Sequence, residues 1–170
     1  DLAETLKRLA KKGRDGFYKG KTADLIVNEM KANNGLISHK DLEQYDSVYR
    51  DPIIGTYRGY TIASMGPPSS GGPLIVQMLN MLENFDVSSM ERNSTQFVHM
   101  LTEIQRLAYA DRAIHLGDPD FYPSPIPMLV SKEYAKKRLE LVSMDKATPS
   151  SEIAAGTCLL YTSPSPRDPI

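Results

Sequence analysis

Hydrophobic residues recur at three- and four-residue intervals along most of the chain, a spacing that predicts mostly helical structure. In the N-terminal part, one helix is predicted to end at Gly13 and a second helix to be capped by Thr22. The hydrophobic stripes of these two helices are Leu2, Leu6 and Leu9, and Ala23, Ile26, Val27 and Met30. Ser38 and Asp41 have the spacing of a capping box, which predicts a short helical turn through Tyr45.

Residues 53–64 have a different pattern, rich in β-branched and aromatic side chains, which predicts two strands joined through Arg58 and Gly59. Two further helices are predicted over 73–83 and over about 94–115. The first is expected to turn Ile75, Met78, Leu79 and Leu82 inward, and the second carries a stripe of Phe97, Leu101, Ile104 and Ala108.

Prolines interrupt the pattern over 116–127, LGDPDFYPSPIP, and predict a loop there. Ser131 then occupies the capping position of a last helix, which carries Tyr134, Leu139 and Val142. Taken together, the pattern predicts an α+β fold that is mostly helical and contains one β-hairpin near 53–64.

The composition is that of an ordinary globular domain: of 170 residues, 41% are hydrophobic and 24% are charged. The 20 basic and 21 acidic residues are intermixed and give a net charge of −1. Nucleic acids and anionic membranes bind basic patches, so this charge pattern argues against both partners. No apolar run approaches the length of about 18 residues that spans a bilayer.

Residues 158–170, CLLYTSPSPRDPI, lack a hydrophobic period, and their prolines are incompatible with regular structure. The stretch 158–168 resembles a translated sequencing adapter, so we interpret 158–170 as a non-native, disordered tail and 1–157 as the native part. The alternative is a native disordered tail. Cys158 is the single cysteine, so the sequence predicts neither an intramolecular disulfide nor a cysteine metal site.

The loop GPPSSGG at 66–72 raises the question of whether Ser69 or Ser70 is a nucleophile. A nucleophilic serine needs a base within hydrogen-bond reach, and the strand-turn-helix elbow of hydrolases has the order Gly-x-Ser-x-Gly. The order Ser-Ser-Gly-Gly does not match that elbow. We therefore favour a structural role for both serines.

In that structural role, Pro67 and Pro68 are expected to hold the chain extended. Gly71 and Gly72 would allow a sharp turn and close packing, and Pro73 fits the first turn of the next helix. The two serines would cap that helix.

A charged cluster surrounds a predicted helix end, in YADR (109–112) and GDPDF (117–121). Its members are Tyr109, Asp111, Arg112, Asp118 and Asp120. One interpretation is an acid/base or ion site. The other, which we favour, is an Arg112–carboxylate pair that ties the helix end to the proline-rich loop. The DPD sequence lacks the glycine and the distal glutamate of an EF-hand loop, so calcium is not predicted.

The three histidines, His39, His99 and His115, do not have the spacing of metal ligands. His39 is expected to be solvated. His115 ends a predicted helix, where the helix dipole favours a partly cationic ring.

Several segments, in this order, resemble the gamma-glutamyltranspeptidase (glutathione hydrolase) family. They are DGFYKG, GLISHKDLEQY, PIIGTYRGYTIASM, PPSSGGPLIVQMLNMLENFD, AYADRAIHLGDPDF and KATPSSEI. The resemblance covers essentially all of residues 1–157. One departure is Gly66, where the family usually has a third proline before PPSSGG.

This resemblance implies part of an αββα N-terminal-nucleophile hydrolase sandwich, the C-terminal part of the large subunit. It implies a precursor that cleaves itself, after which the N-terminal threonine of the small subunit attacks the γ-glutamyl amide of glutathione, with its own α-amine as base. The γ-glutamyl group then passes to water or to an amino acid. The resemblance implies no metal or organic cofactor and suggests a periplasmic, secreted or cell-surface location.

The threonine nucleophile is expected after residue 157, so no catalytic or substrate-binding residue is assigned within 1–157. The chain alone is expected to be inactive and to expose apolar surface that the small subunit would cover. Two alternatives stay open: a self-contained serine amidase that uses Ser69 or Ser70, and an interaction module or remnant without catalysis.

Overall fold

The computed structural model describes residues 1–157 and divides into two compact units, one over Asp1–Tyr49 and one that begins at Arg50. The first unit consists of four helices: α1 (Leu2–Lys12), α2 (Asp15–Tyr18), α3 (Gly20–Ala32) and α4 (His39–Gln44). Its small core consists of Ala23, Val27 and Leu42. The hydrophobic stripe predicted for α3 therefore faces this core.

Local signals set two of the helix ends in the first unit. Gly13 ends α1 with a positive φ of 55°, as predicted. Ser38 and Asp41 form the predicted capping box, in which Asp41 Oδ2 accepts a hydrogen bond from the Ser38 backbone N–H at 2.8 Å.

The prediction that Thr22 caps α3 is wrong, because the helix already begins at Gly20. Thr22 is buried inside the first turn instead. Its hydroxyl donates to the Gly16 carbonyl oxygen at 2.8 Å and accepts from Arg8 Nε at 3.0 Å. The hydroxyl thus joins three helices of this unit rather than ending one of them.

Between Arg50 and residue 157, the second unit contains a hairpin followed by four α-helices. These are β1 (Ile53–Tyr57), β2 (Tyr60–Ser64), α5 (Gly71–Leu82), α6 (Thr95–His115), α7 (Ile126–Leu129) and α8 (Lys132–Leu139). Short 3₁₀ turns lie at Val87–Ser89 and Ser150–Glu152. The helix α7 lies in the stretch predicted as loop, where Pro127 occupies the first helical turn and leaves no interior hydrogen bond broken.

The hairpin confirms the predicted strands and their turn. β1 and β2 are antiparallel, with Ile53 opposite Ser64 and Tyr57 opposite Tyr60. The turn between them has φ of 48° at Arg58 and 85° at Gly59. Positive φ at both central residues is typical of tight hairpin turns, since their twist matches that of the strands.

The core of the second unit lies between α5, α6 and α8. Its buried members are Leu74, Met81, Met100, Ile104, Leu107, Ala108 and Ala135. Ser94 and Ser131 cap α6 and α8, each accepting from the backbone N–H three residues on, at 3.2 and 3.1 Å. Val142, predicted on the last helix, lies beyond its end at Leu139 but packs on this core.

The prediction that Ile75 faces inward is wrong, since its side chain is 43% exposed. Val76 and Gln77 are buried in its place. A Cβ atom on Gly55 of β1 would lie 2.5 Å from Val76 Cγ1, so the hairpin packs directly on that face of α5. The contact with β1 therefore decides which face of α5 is buried.

Within the described part of the chain, no helix combines the length and the hydrophobicity needed to cross a bilayer.

Candidate functional site

The loop before α5 makes a turn. The Ser69 backbone N–H donates to the Gly66 carbonyl oxygen at 3.1 Å, and the Pro67–Pro68 peptide bond between them is cis. The expectation that these prolines hold the chain extended is therefore wrong. The predicted close packing of Gly72 is confirmed, because a Cβ atom there would lie 2.2 Å from the Met65 carbonyl oxygen.

Among the described residues, the hydrogen-bond partners of the two serines of this loop include no base. Ser69 Oγ accepts from the Gly71 backbone N–H at 3.2 Å, at the start of α5. Ser70 Oγ accepts from Arg112 Nε at 2.9 Å, and a guanidinium stays protonated and removes no proton. Ser70 makes no capping hydrogen bond, so the prediction that both serines cap the helix holds only for Ser69. The loop has the contacts of a scaffold element.

The predicted pair between Arg112 and a carboxylate is wrong, since the partner of Arg112 is Ser70. Asp120 pairs with Arg50 instead, at 2.7 Å from Nη2 to Oδ2, and this hydrogen bond lowers the pKa of Asp120. Asp118 Oδ1 accepts from the Asp120 backbone N–H at 3.0 Å. Tyr109, the remaining exposed member of the sequence cluster, is 58% exposed.

A cleft of about 320 Å³ separates the loop from the end of α6, and Ser70, Arg112 and Asp118 are among its lining residues. The cleft is open to solvent, and the Arg112–Ser70 contact forms part of its wall. It brings together two of the sequence motifs, and within residues 1–157 the side chain that contacts Ser70 Oγ is the Arg112 guanidinium.

Asp111 is the member of the charged cluster that the structure buries. It is completely buried on α6, where Gln77 Nε2 donates to Oδ2 at 2.6 Å. Arg138 Nη2 of α8 lies 3.2 Å from Oδ1. Asp111 therefore links α5, α6 and α8 through charged and polar contacts inside the core.

The chain after α8 returns to this buried centre. The Gly156 backbone N–H donates to Asp111 Oδ1 at 2.8 Å, and Arg138 Nη2 donates to the Ala154 carbonyl oxygen at 2.9 Å. His115 Nε2 lies 2.7 Å from the Gly156 carbonyl oxygen, and since a carbonyl only accepts, this nitrogen carries the hydrogen.

A second anchor lies further towards the N-terminus of α6. Buried Glu103 accepts from the Thr148 backbone N–H at 3.2 Å, and Arg106 Nη1 donates to the Thr148 carbonyl oxygen at 2.6 Å. We call the set of residues that hold the 148–157 segment the polar clasp. Its members are Glu103, Arg106, Asp111, His115 and Arg138.

Tyr134 lies against the same segment. A Cβ atom on Gly156 would lie 2.1 Å from its hydroxyl oxygen, so only glycine fits there without a shift. Burial, together with the nearby Asp111 carboxylate, raises the pKa of Tyr134 well above its ordinary value of 10.0. The hydroxyl is neutral over the physiological range.

Sequence reasoning missed most of the polar clasp. One signal was present: Glu103 lies between Met100 and Leu107 on the apolar stripe of α6, where a charge needs a partner. The partners themselves are distant in sequence. No group of three or more metal-ligating side chains exists within residues 1–157, and the clasp residues engage the backbone and one another.

Comparison with known proteins places this arrangement in a family. The profile described as gamma-glutamyltranspeptidase matches residues 1–167, which includes part of the tail that the sequence analysis set apart. The adapter interpretation of 158–170 lies outside the described residues and stays a prediction. Among curated relatives, the glutathione hydrolase proenzyme of Escherichia coli is 47% identical over 96% of this chain and 28% of its own length.

An acylase ACY 1 proenzyme of a Pseudomonas species (strain SE83) is 44% identical over 86% of this chain and 26% of its own length. The crystal structure of Helicobacter pylori gamma-glutamyltranspeptidase superposes with a TM-score of 0.84 at 43% identity. That superposition covers 97% of this chain and 47% of the other. The chain thus spans about a quarter of the length of the curated relatives it matches. It belongs to the gamma-glutamyltranspeptidase family, and its mostly helical fold with one hairpin is part of the N-terminal-nucleophile hydrolase fold.

Proposed function

We propose that this chain is a large-subunit segment of a self-processing enzyme that cleaves γ-glutamyl amides such as glutathione. The observation that carries the proposal is the likeness to a gamma-glutamyltranspeptidase over 97% of the chain. In the whole protein, a threonine that follows residue 157 becomes the N-terminus of the small subunit. Its hydroxyl attacks the γ-glutamyl carbonyl, the leaving amine takes a proton, and the acyl group passes to water or to an amino acid.

The contacts of the described residues support a scaffold role for this segment. Ser69 and Ser70 belong to the GPPSSGG loop. The hydroxyl of Ser69 contacts a backbone N–H, and that of Ser70 contacts a guanidinium. Neither partner removes a proton from a hydroxyl. A self-contained serine amidase therefore lacks its base in this loop.

The hairpin supports the proposal that the small subunit is the partner. Ile54 lies on the face of the hairpin that points away from α5 and is 54% exposed, and Met65, directly after β2, is 69% exposed. Exposed apolar side chains beside a two-stranded sheet are typical of a surface that another part of the protein covers. We propose that further strands of the precursor cover it.

The test compares the 170-residue chain with the full-length precursor from the same gene, using a chromogenic γ-glutamyl anilide. We expect the precursor to separate into two subunits and to release the aniline, and the chain alone to release none. Substituting alanine for the threonine at the new N-terminus is expected to abolish release. Turnover by the chain alone that disappears in Ser70→Ala would contradict the proposal and favour the serine amidase.

The acylase relative makes the acyl group itself part of the test. A precursor that separates into subunits and hydrolyses other acyl amides, but no γ-glutamyl amide, would overturn the proposed substrate class. Glutathione and the anilide are therefore assayed beside a γ-carboxyacyl amide without the α-amino group, such as a glutaryl anilide.

A further inference from the structure

The polar clasp fixes the backbone of residue 156 on both of its sides. Asp111 accepts from the Gly156 N–H at 2.8 Å, and His115 lies 2.7 Å from the Gly156 carbonyl oxygen. Two residues earlier, Arg138 donates to the Ala154 carbonyl oxygen at 2.9 Å. These three hydrogen bonds orient consecutive peptide planes, so the direction in which the chain leaves Gly156 is set by α6 and α8.

Packing alone does not explain why two charged side chains of the clasp, Asp111 and Arg138, are buried. The side chains of Asp111 and Arg138 are 1% and 5% exposed. A buried ion pair is weak evidence for stability, because apolar residues of similar volume often stabilise a core as well or better. Apolar residues, however, cannot bind the Gly156 N–H and the Ala154 carbonyl oxygen, as Asp111 and Arg138 do. The backbone contacts are what the charged pair adds.

The segment has few other means of holding its position. Ser150, Ser151 and Glu152 are exposed, and Ile153 is its one residue packed on the apolar core described above. The hydrogen bonds to Thr148 and Gly156 are therefore the main contacts that fix the position of the segment. Both anchors include side chains of α6, the longest helix of the described chain.

We propose that the polar clasp positions the precursor for self-cleavage, with Asp111, His115 and Arg138 as positioning residues. The inference rests on the proposed function. Cleavage hydrolyses one peptide bond after residue 157: the carbonyl carbon gains the hydroxyl of water, and the nitrogen gains its proton. The clasp touches neither atom. It fixes the backbone of residues 148–157, which precede that bond in the chain, and so restricts the orientations in which the threonine hydroxyl and the carbonyl can meet.

The test measures the rate at which the purified full-length precursor separates into subunits, by gel electrophoresis over time. His115→Ala removes the donor to Gly156 and is expected to slow separation about fivefold, the loss of one hydrogen bond. His115→Gln keeps a side-chain N–H donor and is expected to restore most of the rate. Asp111→Asn keeps an acceptor but loses the charge opposite Arg138, and is expected to slow separation at least about tenfold.

The matched control is Ser94→Ala, which removes the cap at the opposite end of α6 and leaves the clasp intact. It is expected to lower the melting temperature without slowing separation. Subunits that do form from His115→Ala are expected to cleave the γ-glutamyl anilide with the wild-type kcat/KM, since the clasp acts before the mature enzyme exists.

Two results would overturn the inference alone: wild-type separation rates in both His115→Ala and Asp111→Asn, or equal slowing in Ser94→Ala. A wild-type precursor that separates but never acts on γ-glutamyl amides would overturn the proposed substrate and leave the clasp standing. A wild-type precursor that never separates would overturn both.

Discussion

Arg138 Nη2 lies 3.2 Å from Asp111 Oδ1, and the two side chains come from different helices into one buried place. Each charge is compensated only while the other is present, because burial removes the water that would otherwise solvate it. Asp111 also accepts hydrogen bonds from Gln77 through Oδ2 and from the Gly156 N–H through Oδ1. It is therefore the point at which several separate parts of the second unit depend on one another.

Removing one member of this pair is expected to destabilise the chain strongly. Asp111→Ala leaves the Arg138 guanidinium buried without its counter-charge, so we expect a loss of about 3–5 kcal/mol in the free energy of unfolding. Urea unfolding of the 170-residue chain measures it. The matched control is Asp145→Ala at an exposed aspartate, with an expected change within about 0.5 kcal/mol. Equal midpoints for the two variants would contradict the prediction.

A side chain at residue 156 is expected to be costly for a steric reason. In Gly156→Ala the new Cβ atom would meet the Tyr134 hydroxyl oxygen at 2.1 Å and its Cζ at 2.8 Å. Overpacking of this kind costs about 1–3 kcal/mol.

The double variant Gly156→Ala/Tyr134→Phe is expected to recover part of that loss, because it removes the nearest atom. Gly71→Ala serves as the control, since its Cβ would meet nothing nearer than Ser69 Oγ at 3.4 Å. Thermal unfolding compares all four proteins. A Gly156→Ala variant as stable as Gly71→Ala would show that the segment does not lie against Tyr134.

Two serines that directly precede helices are expected to differ in their contribution to stability. Ser131 Oγ accepts from the Tyr134 backbone N–H and caps α8, so Ser131→Ala is expected to cost about 1 kcal/mol. Ser70 precedes α5 without capping it, so Ser70→Ala is expected to change stability by less than about 0.5 kcal/mol. Denaturant unfolding measures the free energy of unfolding of both variants. A loss in Ser70→Ala equal to or larger than that in Ser131→Ala would contradict the prediction.

The ion pair of Glu83 is expected to make stability depend on pH in the acid range. Lys132 Nζ lies 2.5 Å from Glu83 Oε2, and the Arg58 backbone N–H donates to Oε1 at 2.6 Å. These contacts, that with Lys132 first, hold the pKa of Glu83 below its ordinary value of 4.5. A lowered folded-state pKa contributes stability that is present above the unfolded pKa and is lost as pH falls through the folded one.

Glu83→Gln is therefore expected to be less stable than the wild type at neutral pH. The difference should shrink as pH falls below the ordinary pKa of 4.5 and vanish once the folded carboxylate is protonated. Unfolding curves of both proteins across this range measure it. A difference independent of pH would mean that the Glu83 charge contributes nothing.

The features that the sequence predicted correctly are those whose information is local. Ser38 and Ser131 cap helices whose N–H groups follow within three residues. The turn at Arg58-Gly59 depends on the backbone conformations of these two residues alone. Thr22 failed as a cap because its hydroxyl has partners on neighbouring helices. Ile75 failed as a core residue because the hairpin packs on another face of α5.

The same distinction explains the candidate site. Asp111 and Arg112 are adjacent in sequence, but they point to different surroundings, one into the core and one to Ser70. Asp111 finds Arg138 on a different helix, and no local pattern indicates that pairing. Likewise, the sequence shows Glu103 as a charge on an apolar stripe but not the backbone groups of Thr148 that it binds.

The polar clasp holds the 148–157 segment by main-chain atoms: the N–H and carbonyl of Thr148, the carbonyl of Ala154, and both groups of Gly156. Every residue except proline offers the same N–H and carbonyl. These hydrogen bonds therefore do not depend on which side chains lie between the two anchors. Positions 150–152 are exposed, so they can carry an introduced reporter without disturbing the clasp contacts. In a variant that also carries Cys158→Ser, a fluorophore attached through Ser151→Cys would follow the segment without loosening its hold.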